Sequence, residues 1–210
     1  MVYYIPMWRH IIDIVFPKTC IVCKRDGLYI CTECVASIPR AYESPHLWVT
    51  PLFQYKDSTI KRIIHNGKYS HTYTPLTDIV VASQSHIKAI LPHEEVLIIP
   101  VPQHHHKTLF RGYNHAAVIA KAIATTCKQP YNDKLIIKHK KTPRQVTMPT
   151  RSSRLHNTRN SFSLRHSDQI AGKHCMLVDD VTTTGATLSE LRDLLLAHKA
   201  SSVHAITLAH

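Results

Sequence analysis

Two adjacent carboxylates, Asp179 and Asp180, stand between an apolar run, Cys175-Met176-Leu177-Val178, and a small hydroxyl-rich segment, Val181-Thr182-Thr183-Thr184-Gly185-Ala186-Thr187. Carboxylates accept hydrogen bonds from vicinal hydroxyls, as on a ribose. Backbone N–H groups at a helix start attract a phosphate, and the hydroxyls of Thr183, Thr184 and Thr187 add donors beside them. Gly185 lets the backbone approach closely or take a positive φ. Acid pair, loop and helix in that order suit a ribose 5-phosphate.

Positioning such groups requires particular elements. Met176 to Val178 reads as a buried strand of a parallel sheet. The aspartates then fall at its carboxyl end, where open α/β sheets bind ligands. Leu188, Leu191, Leu194 and Leu195 share one face of the helix expected next. Residues 175–187 resemble the phosphoribosyl pyrophosphate (PRPP) signature of type I phosphoribosyltransferases. The resemblance implies that Asp179 and Asp180 contact the ribose hydroxyls and that Thr183, Thr184, Gly185, Ala186 and Thr187 bind the 5-phosphate. The signature usually has an apolar residue where this chain has Thr182.

Upstream, strands are expected at Val49 to Tyr55, Glu95 to Val101 and Lys134 to Lys138, and a last one at residues 203–208. Helices are expected at Ser58 to Asn66, capped by Gly67, at about Thr74 to Leu91, and at about His115 to Lys128. Strand and helix alternate, which suggests a parallel sheet with right-handed crossovers. The predicted fold class is α/β: a type I phosphoribosyltransferase-like parallel sheet flanked by helices, with a small N-terminal zinc-binding module. The expected division is residues 1–45 for an N-terminal helix and metal module, and 46–210 for the phosphoribosyltransferase-like domain.

The metal module rests on Cys20-x-x-Cys23 and Cys31-x-x-Cys34, two pairs within fifteen residues. Four thiolates complete a tetrahedral site with no open position, the pattern of structural zinc. A redox Cys-x-x-Cys is the rival reading, and two adjacent pairs argue against it. Lys24 and Arg25 place positive charge beside the thiolates. Cys175 reads as a small buried hydrophobe.

A PRPP site must also hold pyrophosphate. Lys107 and Arg111 lie in the loop after the Ile98-Ile99-Pro100-Val101-Pro102 strand and just before a helix start. Pro100-Val101-Pro102 followed by Arg111-Gly112-Tyr113-Asn114 is similar to a ComF-type pattern, which joins a cysteine knuckle to a phosphoribosyltransferase domain. Thr142-Pro143-Arg144-Gln145, Arg154, Asn157 and Phe162 also resemble its spacing. This chain departs from it in having His104, His105, His106 and Lys107, with no arginine before Arg111. Neutral imidazoles hold pyrophosphate less firmly than guanidinium forks. A solvated loop and a metal-binding histidine run are the other readings of that stretch.

The formal net charge is +12 with histidines neutral, which favours polyanionic partners such as nucleic acid or a highly phosphorylated substrate. Lys140, Lys141, Arg144, Arg151, Arg154 and Arg159 fall in a stretch poor in hydrophobes. Such a segment either follows a phosphate backbone or forms a solvated basic loop. Trp48, Tyr69 and Tyr113 are candidate stacking faces. No run of about 18 uncharged apolar residues suggests a membrane span. Met1 to Pro17 reads as an amphipathic helix, either packed on its own protein or lying on a membrane surface.

The ComF-type resemblance implies a cytoplasmic factor of natural transformation, at or near the inner face of the membrane. It would act on incoming single-stranded DNA, with competence-machinery proteins such as a helicase or a recombination mediator as partners. Its ligands would be PRPP with Mg2+, and structural Zn2+. Three readings remain open: a PRPP-binding protein that handles DNA, a catalytic phosphoribosyltransferase acting on an unidentified acceptor or nucleobase, and a degenerate pocket kept only as a scaffold for protein partners, against which the intact aspartates and threonines count.

Overall fold

The computed structural model describes residues 18–42, 44, 46–69, 73–91, 95–103, 113–139 and 161–210. Four strands form one wholly parallel sheet: β1 (Val49–Phe53), β2 (Val96–Pro100), β5 (His174–Val181) and β6 (Ser202–Ala209). Their spatial order is β1-β6-β5-β2. Pro51 is tolerated in β1 because that strand lies at the edge of the sheet, beside β6. A separate antiparallel ribbon joins β3 (Ile136–Lys138) to β4 (Phe162–Leu164).

Side chains along a strand alternate between faces, and the core divides accordingly. In β5, Met176 and Val178 pack on one side of the sheet with Ile60, Ile63, Ile79, Ile119 and Ile123. Cys175 and Leu177 pack on the other with Leu188, Leu191, Leu195 and Phe162. The first face is covered by α2 (Ser58–Tyr69), α3 (Thr74–Ala82), α4 (Gln84–Ile90) and α5 (His115–Cys127). The second is covered by α6 (Ala186–Ala197) and the β3–β4 ribbon. Both faces of the central strands are therefore buried, which is why they read as continuous apolar runs.

The cysteine segment, with the short helix α1 (Thr32–Ala36), shares the first core through Cys20, Ile30, Val35 and Ile38. Tyr29, in the connector between the cysteine pairs, anchors it. Its N–H donates to Asp78 Oδ2 at 2.7 Å, and its hydroxyl accepts from Asn66 Nδ2 at 2.6 Å. Burial pushes the Asp78 carboxyl up, while the Tyr29 N–H and the Lys18 charge oppose that shift.

Several expectations are corrected. The expected single helix over Thr74 to Leu91 is two, α3 and α4, divided at Ser83, whose N–H bonds the carbonyls of Ile79 and Val80 at 3.0 and 3.2 Å. The Lys134 to Lys138 segment contributes β3, but to the ribbon and not to the parallel sheet. Its partner β4 was not foreseen as a strand. Tyr55 lies beyond β1, which ends at Phe53.

Gly67 does not cap α2; the helix runs through it to Tyr69. Its start is conventional, with Asp57 Oδ1 accepting from the N–H groups of Thr59 and Ile60 at 2.8 and 3.0 Å. Gly67 is needed for close packing. A Cβ there would lie 2.8 Å from Leu76 Cγ, and Leu76 is itself only 1% exposed. Alanine in place of glycine ordinarily favours a helix interior by about 1 kcal/mol. Here overpacking costs about 1–3 kcal/mol and outweighs that gain. We therefore expect Gly67→Ala to lower the urea midpoint of unfolding; an unchanged or raised midpoint would mean that Leu76 moves aside freely.

Candidate functional site

Strands β2 and β5 are parallel neighbours, so their carboxyl ends open on the same edge of the sheet. The Val101 N–H continues the pairing past β2, donating to the Val178 carbonyl at 2.9 Å. The next residues of β5 are Asp179 and Asp180, half-buried on that edge. Each carboxylate turns back on the chain: Asp179 Oδ1 accepts from the Asp180 N–H and Asp180 Oδ1 from the Val181 N–H, both at 2.8 Å. Burial, reinforced by the adjacent Asp180 charge, pushes the Asp179 carboxyl up to about 8; the Asp180 N–H and the Lys138 charge pull the other way.

The hydroxyl-rich segment leads from this pair into α6. Gly185 is buried at its N-cap with φ 72°, the left-handed region that glycine adopts without strain. Thr183, Thr184, Ala186 and Thr187 around it are exposed. Thr184 Oγ1 accepts from the Ala186 N–H at 3.4 Å. Thr182 is only 5% exposed, so it occupies the inward position for which an apolar residue would be expected. Its N–H donates to the Ala209 carbonyl at 3.1 Å, holding the loop's root to the end of β6.

Tyr113 and Asn114 meet the same edge from the α5 side. Asn114 Oδ1 caps α5 by accepting from the Ala116 N–H at 3.1 Å, while its Nδ2 donates to the Val101 carbonyl at 3.0 Å. The start of α5 is thereby tied to the end of β2. Tyr113 donates its hydroxyl to the Gly67 carbonyl. It is half-buried, packed edge-on against Tyr73 and His115, and so is a structural contact and not an open stacking face. Trp48 is likewise engaged, stacked on His46 at 5.3 Å with the Arg192 guanidinium 5.1 Å from its ring. The Tyr69 side chain lies outside the described residues, as do Lys107, Arg111 and the His104-His105-His106 run.

His115 was missed by sequence reasoning. It follows the cap directly, is 1% exposed, and has Nδ1 3.8 Å from Asp180 Oδ2. A signal existed: position 115 lies four and eight residues before Ile119 and Ile123, on the inward face of α5. A polar residue there requires partners.

Lys138, at the end of β3, has its Nζ 5.2 Å from the centre of the Phe162 ring. The Ser161 N–H donates to Glu190 Oε1 at 2.9 Å, fixing the start of β4 to α6. Lys140, Lys141, Arg144, Arg151, Arg154 and Arg159 belong to the segment joining β3 to β4 and lie outside the described residues. Both ends of that segment are rooted in a ribbon whose Lys138 charge reaches Asp179.

The four cysteines form the second chemical centre. Lys24 takes a positive φ of 64° to close the Cys20–Cys23 turn, and Cys31 stands at the N-cap of α1, which contains Cys34. The four Sγ atoms lie within 4.8 Å of one another, with Cys23 and Cys31 3.7 Å apart. Thiolates at about 2.3 Å from a tetrahedral zinc are separated by about 3.8 Å. The donor set fits, and the cluster could hold zinc.

The Pribosyltran family, the phosphoribosyl transferase domain, matches residues 113–210. Competence protein F of Haemophilus influenzae is 36% identical over 101 residues, covering 47% of this chain and 43% of its own length. The DNA utilization protein YhgH of Escherichia coli O157:H7 is 31% identical over 50% of this chain and 45% of its own. Competence protein ComFC of Bacillus subtilis is 30% identical over 57% of this chain and 46% of its own. The matches support a ComF-type family. The region of this chain that aligns spans less than half the length of each of these relatives. Among solved structures, a hypoxanthine-guanine phosphoribosyltransferase from Bacillus anthracis aligns over 65% of this chain and 66% of its own, with a TM-score of 0.40 and 17% identity. Among the described residues, no helix is long and apolar enough to cross a membrane.

Two expectations follow. Folding raises the Asp179 carboxyl from the ordinary 3.8 to about 8, so between those values the folded chain holds a proton that the unfolded chain has lost. Stability from this group is therefore full below about 4 and declines as pH rises toward 8. Asp179→Asn removes that decline: its melting temperature relative to the parent chain should rise from pH 5 to pH 8, whereas a flat difference would give Asp179 an ordinary carboxylate. For the cysteine cluster, Cys23→Ser should lower both the zinc that copurifies and the melting temperature, as a strong chelator should for the parent chain. Unchanged metal content and stability in both cases would remove zinc from the fold.

Proposed function

We propose that this chain is a PRPP-binding, phosphoribosyltransferase-like protein with a role in competence, handling incoming single-stranded DNA in the cytoplasm. The observation that carries the reading is the carboxylate pair at the end of β5, leading into a glycine-centred loop at the start of α6. Asp179 and Asp180 accept hydrogen bonds from the ribose 2- and 3-hydroxyls. Thr183, Thr184, Gly185, Ala186 and Thr187 take the 5-phosphate through hydroxyls and backbone N–H groups. Lys107 and Arg111, in the loop after β2, take the pyrophosphate, and Mg2+ bound with PRPP neutralises part of its charge.

The competence role draws on the names of the relatives, Competence protein F and ComFC. The DNA role draws on charge. The net charge is +12, and Lys140, Lys141, Arg144, Arg151, Arg154 and Arg159 lie in the segment between β3 and β4. A backbone-following contact of that kind is strongly salt-dependent. A helicase or a recombination mediator would then act on the same strand, and the cysteine cluster would hold zinc as a structural brace. Residues 1–45 would form the metal-bearing part and 46–210 the ligand-binding domain.

A catalytic reading shares the same residues. The carboxylates would stabilise positive charge developing at the anomeric carbon, and Lys107 and Arg111 the departing pyrophosphate. The half-buried acid pair favours it, since charge acts strongly where water is scarce. Pyrophosphate release measured with bases and with DNA separates an enzyme from a binder.

Replacing both Asp179 and Asp180 by alanine tests the pocket. PRPP affinity should fall by about tenfold or more, the weight of two lost hydrogen bonds. Fluorescence anisotropy with single-stranded DNA at two salt concentrations should match the parent chain. Retained PRPP binding would contradict the ribose role, and parallel loss of DNA binding would contradict separate sites.

A further inference from the structure

We propose that His115 is the positioning residue for Asp180, holding that carboxylate in the orientation that meets the ribose hydroxyls. The role rests on the phosphoribosyl reading above. His115 stands where three elements converge: the end of α2, the residues after β2 and the end of β5. Its Nε2 lies 3.0 Å from the Gly67 carbonyl, and its Nδ1 3.4 Å from Gln103 Nε2 and 3.8 Å from Asp180 Oδ2. A carbonyl oxygen only accepts, so Nε2 carries a hydrogen and the direction of Nδ1 is set by that bond.

The ring cannot easily turn. Tyr113 stands edge-on to it, 5.1 Å between centres, and donates its own hydroxyl to the same Gly67 carbonyl. Rotating His115 would give up the Gly67 bond in a site only 1% exposed, where an unpaired polar group is costly.

Asp180 is then constrained at both oxygens. Oδ1 accepts from the Val181 N–H at 2.8 Å, and Oδ2 faces Nδ1. At 3.8 Å the second contact is longer than a hydrogen bond, so the imidazole acts as a polar stop behind the carboxylate. These two points help to set the plane of the carboxylate, and with it the direction in which it meets a diol. A residue needed only to fill space here would be apolar, like Ile119 and Ile123 on the same face.

Two substitutions separate the ring's two ends. In His115→Gln the amide can reach the Gly67 carbonyl but leaves the Nδ1 position empty. In His115→Asn the amide occupies the Nδ1 position and falls short of Gly67. The probes are ribose 5-phosphate and 2-deoxyribose 5-phosphate, titrated calorimetrically into the full chain, with melting temperatures measured in parallel. The parent chain should prefer ribose. His115→Gln should shrink that preference by about tenfold at a nearly unchanged melting temperature, the weight of the hydrogen bond that the ribose 2-hydroxyl makes with a correctly oriented carboxylate. His115→Asn should keep more of the preference while melting lower. If both variants keep the full preference, or lose both sugars in equal proportion to their loss of stability, His115 is structural and the proposal is wrong. A parent chain that binds neither sugar phosphate, or both alike, overturns the phosphoribosyl reading and this role with it.

Discussion

Two carboxylates side by side at a strand end repel one another, and partial burial makes the repulsion harder to bear. The site depends on how that tension is held. Backbone geometry contributes first: Asp180 and Val181 each offer an N–H to the carboxylate before them. The Lys138 charge contributes from the ribbon, and His115 stands behind Asp180 from α5. These groups come from different elements, so the surroundings of the pair are complete when sheet, ribbon and α5 are assembled. What they do not offset is visible in the Asp179 carboxyl, which burial and its neighbour push up to about 8. A site that disfavours its own charge is ready to gain from donors brought by a ligand.

Much of this was legible in the sequence. Met176 to Val178 announces a strand buried on both faces, and the aspartates, Gly185 and the leucines of α6 follow in the order of strand end, loop and helix. The cysteine spacing likewise brought four thiols together. What escaped was decided by tertiary contacts. Gly67 looks like a helix terminator, yet it is a close-packing position against Leu76. Ser83 interrupts α3 and α4 with neither glycine nor proline to mark the break. Three-residue strands such as β4 carry too little periodicity to be read. His115 sits within a helix that was legible, but its partners, Gly67 and Asp180, are distant in sequence.

The cysteine segment is more than an appendage. Tyr29 connects it to Asp78 in α3 and to Asn66 in α2. The next residue, Gly67, offers the carbonyl on which Tyr113 and His115 converge, and His115 faces Asp180. A chain of neighbouring contacts therefore leads from the connector between the cysteine pairs toward the acid pair.

The most direct measurement is a crystal structure of the chain soaked with PRPP and Mg2+. The ribose 2- and 3-hydroxyls are expected on Asp179 and Asp180, with the 5-phosphate over the Thr183–Thr187 loop at the start of α6. A phosphoribosyl group seated elsewhere, or hydroxyls turned away from both carboxylates, would contradict the account.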